Sequence, residues 1–183
     1  MVEKLGSVGK PVAQLRVRVV NDEGQDVKSG EFGEIILRGP KVFKGYWKDQ
    51  KATDEAIKDG WFYTGDIGRL DEEGYLYIED RKKDIIISGG ENVSTVEVER
   101  IIHEIPGILE VGVVGIPHPK WQEVPKAFVV LKKGKSVLEK DIIEHCAQRL
   151  AKFKVPKEVE FIESLPRNPS GKVLKRELRK RAG

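Results

Sequence analysis

The sequence predicts an α+β chain in two parts: a small β-barrel-like subdomain over residues 1–81, then an α+β domain over residues 82–183 with a three-stranded sheet and helices. Three observations carry this. Up to about residue 80, apolar residues alternate over short runs broken by turn formers, the pattern of half-buried strands. Beyond Arg81, short apolar strands alternate with segments of helical periodicity. Two Ser-x-x-Glu sequences, starting at Ser94 and Ser136, stand where helices should open.

Leu15, Val17 and Val19 alternate with Gln14, Arg16 and Arg18, and Asn21-Asp22-Glu23-Gly24 then turns the chain. Ile35–Leu37 and Trp61–Tyr63 read as further strands, with a helical turn at Asp54–Ile57 between them. Ile67–Leu70 and Tyr75–Ile78 flank Asp71-Glu72-Glu73-Gly74 as a hairpin. Short strands at this spacing make a small barrel or sandwich. In the second part, Ile85–Ile87 is a strand followed by the turn Ser88-Gly89-Gly90-Glu91-Asn92. Ser94 and Glu97 cap a helix whose stripe is Val98, Ile101, Ile102 and Ile105, and Pro106-Gly107 stops it. Ile108–Ile116 and Ala127–Leu131 are strands, Ser136 and Glu139 open a helix to about Leu150, and Glu158–Ile162 is a last strand. Asn168-Pro169-Ser170-Gly171 forms a turn that projects Lys172, followed by a short basic helix.

Composition narrows the function classes. No apolar run approaches the roughly 20 residues of a membrane span, and the first residues lack the apolar core of a signal peptide. The single cysteine, Cys146, excludes an internal disulfide and fits a reducing cytoplasm; in a helix it is a packing residue before it is a nucleophile. His103, His118 and His145 show no metal-ligand spacing, so no metal site is expected. Residues 151–183 hold ten Lys/Arg against four Asp/Glu, within a net charge of +3 for the chain. A basic end suits an anionic cofactor or a solvated helix face; nucleic acid is disfavoured because no aromatic residue follows Phe161 for base stacking.

Several residues have the chemistry of a nucleotide site. Asp66, in Tyr63-Thr64-Gly65-Asp66, is placed at a strand end where a carboxylate accepts hydrogen bonds from a vicinal diol such as ribose. Arg81 follows fifteen residues later and suits the same sugar or a phosphate. The Lys172 ammonium is a mobile point charge fitted to an oxyanion or phosphate. Each has a plainer alternative as a turn or surface charge.

Taken in series, Gly33-Glu34-Ile35, Gly45-Tyr46-Trp47, Tyr63-Thr64-Gly65-Asp66, Asp80-Arg81-Lys82-Lys83-Asp84, Ser88-Gly89-Gly90-Glu91-Asn92 with Val96-Glu97-Val98-Glu99, and Pro166-Arg167-Asn168-Pro169-Ser170-Gly171-Lys172 resemble the carboxyl-terminal third of the adenylate-forming enzymes. That superfamily includes acyl-CoA synthetases, luciferase and nonribosomal-peptide adenylation domains. The resemblance covers essentially the whole chain and implies two steps. A carboxylate attacks the α-phosphate of ATP to give an acyl-adenylate and pyrophosphate, and a thiol, usually coenzyme A, then takes the acyl group. It assigns residues 1–81 to the last, β-rich subdomain of the large AMP-binding domain and residues 82–183 to the mobile carboxyl-terminal domain.

The resemblance gives Asp66 and Arg81 to the ribose of ATP, Lys172 to the adenylation step and Lys83 to the hinge on which the small domain turns. Gly89, Gly90 and Glu91 then face coenzyme A, with Trp121 beside it and Lys154 toward its phosphates. For the glycines a tight turn, and for Trp121 simple packing, are equally good readings of the residues alone. The family's phosphate loop, adenine-binding segment, acyl pocket and most of its Mg2+ site lie upstream of the stretch that Gly6-Ser7-Val8-Gly9 resembles. The chain therefore reads as a fragment, partnered in the full-length enzyme by the rest of the large domain, and is expected to be inactive alone. Within the family it looks most like a fatty-acyl-CoA synthetase. The alternatives are a ligase for aryl acids, one that loads a carrier protein, or a non-catalytic interaction module.

Overall fold

The computed structural model describes residues 4–183, which divide into two compact units meeting between Lys83 and Asp84. The first unit is a curled antiparallel sheet of five strands: β1 (Arg16–Val20), β2 (Gly33–Arg38), β3 (Ile57–Lys58), β4 (Trp61–Leu70) and β5 (Leu76–Arg81). β1 pairs with β2 and β2 with β4, while β3 and β5 share the far edge of β4. Val19, Val20, Ile35 and Ile36 are its buried apolar side chains, contributed by the two strands with the clearest apolar content. The two strands expected at 61–63 and 67–70 are one strand of ten residues, bent by register shifts against both neighbours. A short helix, α1 (Gln50–Ala56), precedes β3, and the Asp49 carboxylate caps it by accepting the Ala52 N–H.

The second unit is α+β. A hairpin of β6 (Ile86–Ser88) and β7 (Glu91–Val93) leads into α2 (Thr95–His103). β8 (Ile108–His118) and β9 (Gln122–Leu131) form a long antiparallel hairpin, and α3 (Glu139–Ala147) and a single 3-10 turn (Lys152–Lys154) follow. β10 (Glu158–Phe161) lies parallel to β9, and α4 (Lys175–Ala182) ends the chain. The sheet expected to have three strands has five: β8, β9, β10 and β6, all read from the sequence as strands, and β7, with the β6–β7 hairpin joined through the Ser88–Gln122 pair. β7 is too short and polar to announce itself as a strand.

Both faces of this sheet are covered, so β9 reads as a nearly continuous apolar run rather than an alternating one. Ala127 and Val129 join Val98, Ile101 and Ile102 of α2 and Ile142 and Cys146 of α3 in one core. Phe128 and Val130 join Leu165 and, from α4, Leu178 in the other. Burying Phe128 completely contributes about 2–3 kcal/mol. Burial pushes the Cys146 thiol up to about 11, so it stays protonated and packs as a small apolar side chain.

One capping expectation fails. Ser94 does accept the Glu97 N–H at the start of α2, but α3 opens after Leu138 with no side-chain cap. The Glu139 carboxylate of the expected second box instead accepts the Val159 N–H of β10, tying helix to strand. α4 buries only Leu178 and is held by ion pairs: Arg179 to Asp84 at 2.6 Å, Arg181 to Glu160 at 2.6 Å and Lys175 to Glu99 at 2.8 Å. No helix among the described residues is long and apolar enough to cross a membrane.

Candidate functional site

In the first unit, β4 and β5 bring Asp66 and Arg81 face to face. The two residues are partners in the antiparallel register, and Arg81 Nη1 lies 3.0 Å from Asp66 Oδ1. A short network fixes the turn before Asp66: the Thr64 hydroxyl donates to Ile35 O at 2.7 Å and accepts the Asp66 N–H at 3.0 Å. Glu34, buried, accepts the Gly65 N–H at 3.1 Å, and the Lys82 N–H donates to Gly65 O at 2.8 Å. The Asp66 and Arg81 side chains nevertheless remain 28% and 43% exposed, so the carboxylate keeps free lone pairs for a diol and the guanidinium keeps free donors.

Glu34 and Lys82 are the support that sequence reasoning missed. The Lys82 ammonium sits 2.7 Å from Asp22 and 3.0 Å from Glu34, and these two carboxylates hold it above the usual lysine range. Glu34 did stand in one of the motifs, Gly33-Glu34-Ile35, but nothing in its spacing said that it would reach across two strands. Two residues on, in the second unit, Asp84 is bound by Arg179. Lys83 thus stands between a residue tied into one unit and a residue tied into the other.

In the second unit the structure brings Gly89 and Trp121 together. Gly89 and Gly90 have φ of +63° and +87° and form the two-residue turn between β6 and β7, a conformation that favours glycine. The Gly89 N–H donates to Trp121 O at 2.8 Å, and the indole packs so closely that a Cβ on Gly89 would lie 2.9 Å from Trp121 Cε3. Trp121 is both a packing residue and 41% exposed. Glu91 is exposed at the end of the turn, opposite Ser88. Lys154, by contrast, is engaged: its ammonium is 2.6 Å from Glu97.

Lys172 stands on a closed turn. Asn168 Oδ1 accepts the Lys172 N–H and the Ser170 hydroxyl, both at 2.8 Å, and the Asn168 N–H donates to Lys172 O at 2.9 Å. Gly171 supplies the left-handed residue, φ +85°. Arg167 fastens the turn, donating to Gly171 O and to Glu110 of β8, both at 2.6 Å. The Lys172 side chain is exposed and makes no hydrogen bond or ion pair among the described residues.

These placements put Lys172 and the Gly89–Trp121 contact at opposite ends of the β8–β9 hairpin. The turn that carries Lys172 is anchored through Arg167 at Glu110, near the start of β8, whereas Trp121 follows His118, where β8 ends. At the rise of a strand, those eight residues span about 26 Å. Such an arrangement suits two separate tasks at two ends of one rigid body, not a single convergent site. Among the described residues, no three His, Cys, Asp or Glu side chains group as a metal site.

Comparison with known proteins places the chain in a family. Residues 97–172 match the family described as AMP-binding enzyme C-terminal domain, and residues 1–47 match AMP-binding enzyme. The chain is 49% identical over 180 residues to a 2-succinylbenzoate–CoA ligase of Bacillus mycoides, covering 98% of this chain and 37% of that protein. It is 49% identical over 177 residues to the same-named ligase of Geobacillus kaustophilus, covering 97% and 36%. Among solved structures, o-succinylbenzoate CoA synthetase from Bacillus subtilis, in complex with the acyl-adenylate OSB-AMP, superposes with a TM-score of 0.90 at 42% identity over 96% of this chain and 36% of that one. ATP-bound MatB from Rhodopseudomonas palustris gives 0.89 at 41% identity, covering 96% and 35%. The chain therefore spans a little over a third of the length of these relatives, and it belongs to the AMP-binding, adenylate-forming enzymes as their carboxyl-terminal part.

Proposed function

We propose that these residues form the carboxyl-terminal working part of an AMP-forming acid–CoA ligase whose acid is an aryl acid. The observation that carries this reading is the accessible Asp66–Arg81 pair in a chain half identical to 2-succinylbenzoate–CoA ligases. The sequence alone favoured a fatty acid. The relatives favour the aryl-acid alternative, and they do so by identity, since the acyl-binding residues of the family lie upstream of this chain.

In this reading Asp66 accepts the ribose hydroxyls of ATP and Arg81 steadies both the carboxylate and the sugar. The acid's carboxylate attacks the α-phosphate, the bond to pyrophosphate breaks, and an acyl-adenylate forms. Lys172 stabilises the charge that builds on these oxygens; its ammonium is unpaired and its turn is already closed, so little reorganisation is needed. The second unit then turns about Lys83 and presents its other end. The thiol of coenzyme A, giving up its proton to solvent, attacks the acyl carbon and expels AMP. Gly89, Gly90 and Glu91 line the approach of the pantetheine arm, and the exposed Trp121 indole offers a face to the adenine. Lys154 reaches a cofactor phosphate only by giving up Glu97. ATP and its Mg2+ also need the upstream part of the large domain.

The test uses the full-length protein that carries these residues. ATP–pyrophosphate exchange is measured with a panel of aryl, dicarboxylic and fatty acids, then thioester formation with coenzyme A against a carrier protein as acceptor. Exchange with aryl acids, followed by transfer to free coenzyme A, is expected. Exchange with fatty acids alone would overturn the substrate class. No exchange with any acid, or full exchange in Lys172→Ala, would favour the non-catalytic module instead.

A further inference from the structure

The turn that joins β8 to β9 contains an arrangement that the roles above leave unused. It runs Pro117-His118-Pro119-Lys120-Trp121-Gln122, and the two prolines restrict the backbone on either side of His118. His118 Nδ1 accepts two backbone N–H groups, from Lys120 and from Trp121, each at 3.2 Å. As the acceptor of both, Nδ1 carries no proton in this turn. The imidazole thereby closes the turn as an Asx side chain closes one elsewhere.

What that turn holds is Trp121. The Trp121 carbonyl accepts the N–H groups of Gly89 and Glu123, both at 2.8 Å, while its own N–H goes to His118. Gln122, next in the chain, is left-handed at φ +68° without being glycine, a conformation that persists only when its surroundings impose it. On one side the indole is packed against Gly89; on the other the Lys120 ammonium lies 4.7 Å from its ring centroid. The side chain itself is 41% exposed, so packing fixes only part of it and one face stays open. Its backbone is held as well, and of the three hydrogen bonds at that backbone the single donor bond ends on His118.

We propose that His118 is a positioning residue for the coenzyme A end of the hairpin: it fixes the Trp121 backbone, and through it sets the indole face over the Gly89-Gly90 turn. This rests on the reading that the Gly89–Trp121 end receives coenzyme A. The requirement is for an acceptor at the place of Nδ1, not for an imidazole. Asparagine carries its carbonyl oxygen at that place; glutamine carries it one bond further out, near Nε2; alanine has none.

The experiment labels the 183-residue chain with 5-fluorotryptophan and records fluorine NMR for His118, His118→Asn, His118→Gln and His118→Ala, assigning the Trp121 signal with Trp121→Phe. The Trp47 and Trp61 signals report the first unit, and methyl proton NMR of the buried Val129 and Ile142 core reports whether the second unit's fold survives. The expected result is a sharp, nearly unmoved Trp121 signal in the Asn variant, and a shifted or broadened one in Gln and Ala, with the other two signals constant. Coenzyme A is then titrated, and the Ala variant should bind about tenfold more weakly than wild type while Asn stays close to it. A Trp121 signal unchanged in His118→Ala, or not restored in His118→Asn, overturns the positioning role by itself. Signals that behave as expected while coenzyme A moves Trp121 in no variant, wild type included, overturn the reading of that end as a coenzyme A site, and the proposal with it.

Discussion

Asp66 and Arg81 face each other across two antiparallel strands at 3.0 Å, and the surrounding hydrogen bonds fix them both while leaving their outer edges in solvent. A half-exposed ion pair of this kind contributes little to stability, about 0.5 kcal/mol. Its value as a nucleotide clamp is larger, because a charge-assisted hydrogen bond to a bound sugar or phosphate is worth about 1.5–3 kcal/mol. Arg81→Ala should therefore leave the unfolding midpoint of the chain nearly unchanged while raising the KM for ATP of the full-length enzyme by about tenfold to a hundredfold. Arg81→Lys should be almost as impaired, since an ammonium cannot bridge a carboxylate and a ribose with a fixed fork. Urea unfolding and exchange kinetics on the same variants check this; equal losses in both would make Arg81 a structural residue.

Most strands and helices were legible in the residues because periodicity and turn chemistry agree with burial there. β1, β2, β8 and α2 follow their apolar patterns, and the Asn168 turn follows its four turn formers. Elements decided by long-range partners were not legible. β7 exists because Gly89-Gly90 returns the chain against β6, and Glu139, expected in the cap of α3, bonds instead to Val159, twenty residues beyond it. The candidate site divides the same way. Asp66, Arg81, Gly89 and Lys172 stand in local motifs, whereas Glu34 and Lys82 act through residues that only the fold brings near, and His118 closes a local turn whose packing on Gly89 only the fold shows.

Gly89 and Gly90 look equivalent in sequence but not in their surroundings. Both are left-handed, so alanine at either costs about 1 kcal/mol in backbone strain. At Gly90 nothing lies within 4 Å of the added Cβ, whereas at Gly89 the carbon meets the Trp121 ring at 2.9 Å. Gly90→Ala should cost about 1 kcal/mol, and Gly89→Ala about 2–3 kcal/mol because the indole must also move. Only Gly89→Ala should change the tryptophan emission of the native state. Urea titrations followed by fluorescence distinguish the two, and equal costs with equal spectra would contradict the packing described here.

Asp71 closes the β4–β5 hairpin by accepting the N–H groups of Glu73 and Tyr75 on Oδ1, with the Lys4 ammonium 3.0 Å from Oδ2. Burial on its own would raise this carboxyl, but the Tyr75 N–H, Lys4 and the Glu73 N–H together hold it down to about 2. A carboxylate depressed in the folded state adds stability that is fully present above its unfolded value, about 4, and is lost as pH falls through about 2. Asp71→Asn can still accept both N–H groups but loses the charge. It should be less stable than wild type at neutral pH, and the difference should shrink as pH falls from about 4 to about 2. Unfolding curves at four or five pH values measure this; a constant difference would rule out the linkage.

Lys82 and Asp84 are each held tightly within their own unit, the first by Asp22 and Glu34 and the second by Arg179, and the hinge proposed above puts the pivot on the residue between them. A hinge of this kind needs two backbone conformations at one position, and proline permits one. Lys83→Pro in the full-length enzyme should therefore separate the two half-reactions. The one whose pose proline accepts should continue, and the other should fall on the order of a hundredfold, the scale of loss when reacting groups are misplaced. ATP–pyrophosphate exchange reads the first half-reaction, and transfer from preformed acyl-adenylate to coenzyme A reads the second. Lys82→Met should instead blur the pivot by freeing its neighbour, lowering both rates modestly without separating them. Equal activity of Lys83→Pro in both assays would place the pivot elsewhere in the chain.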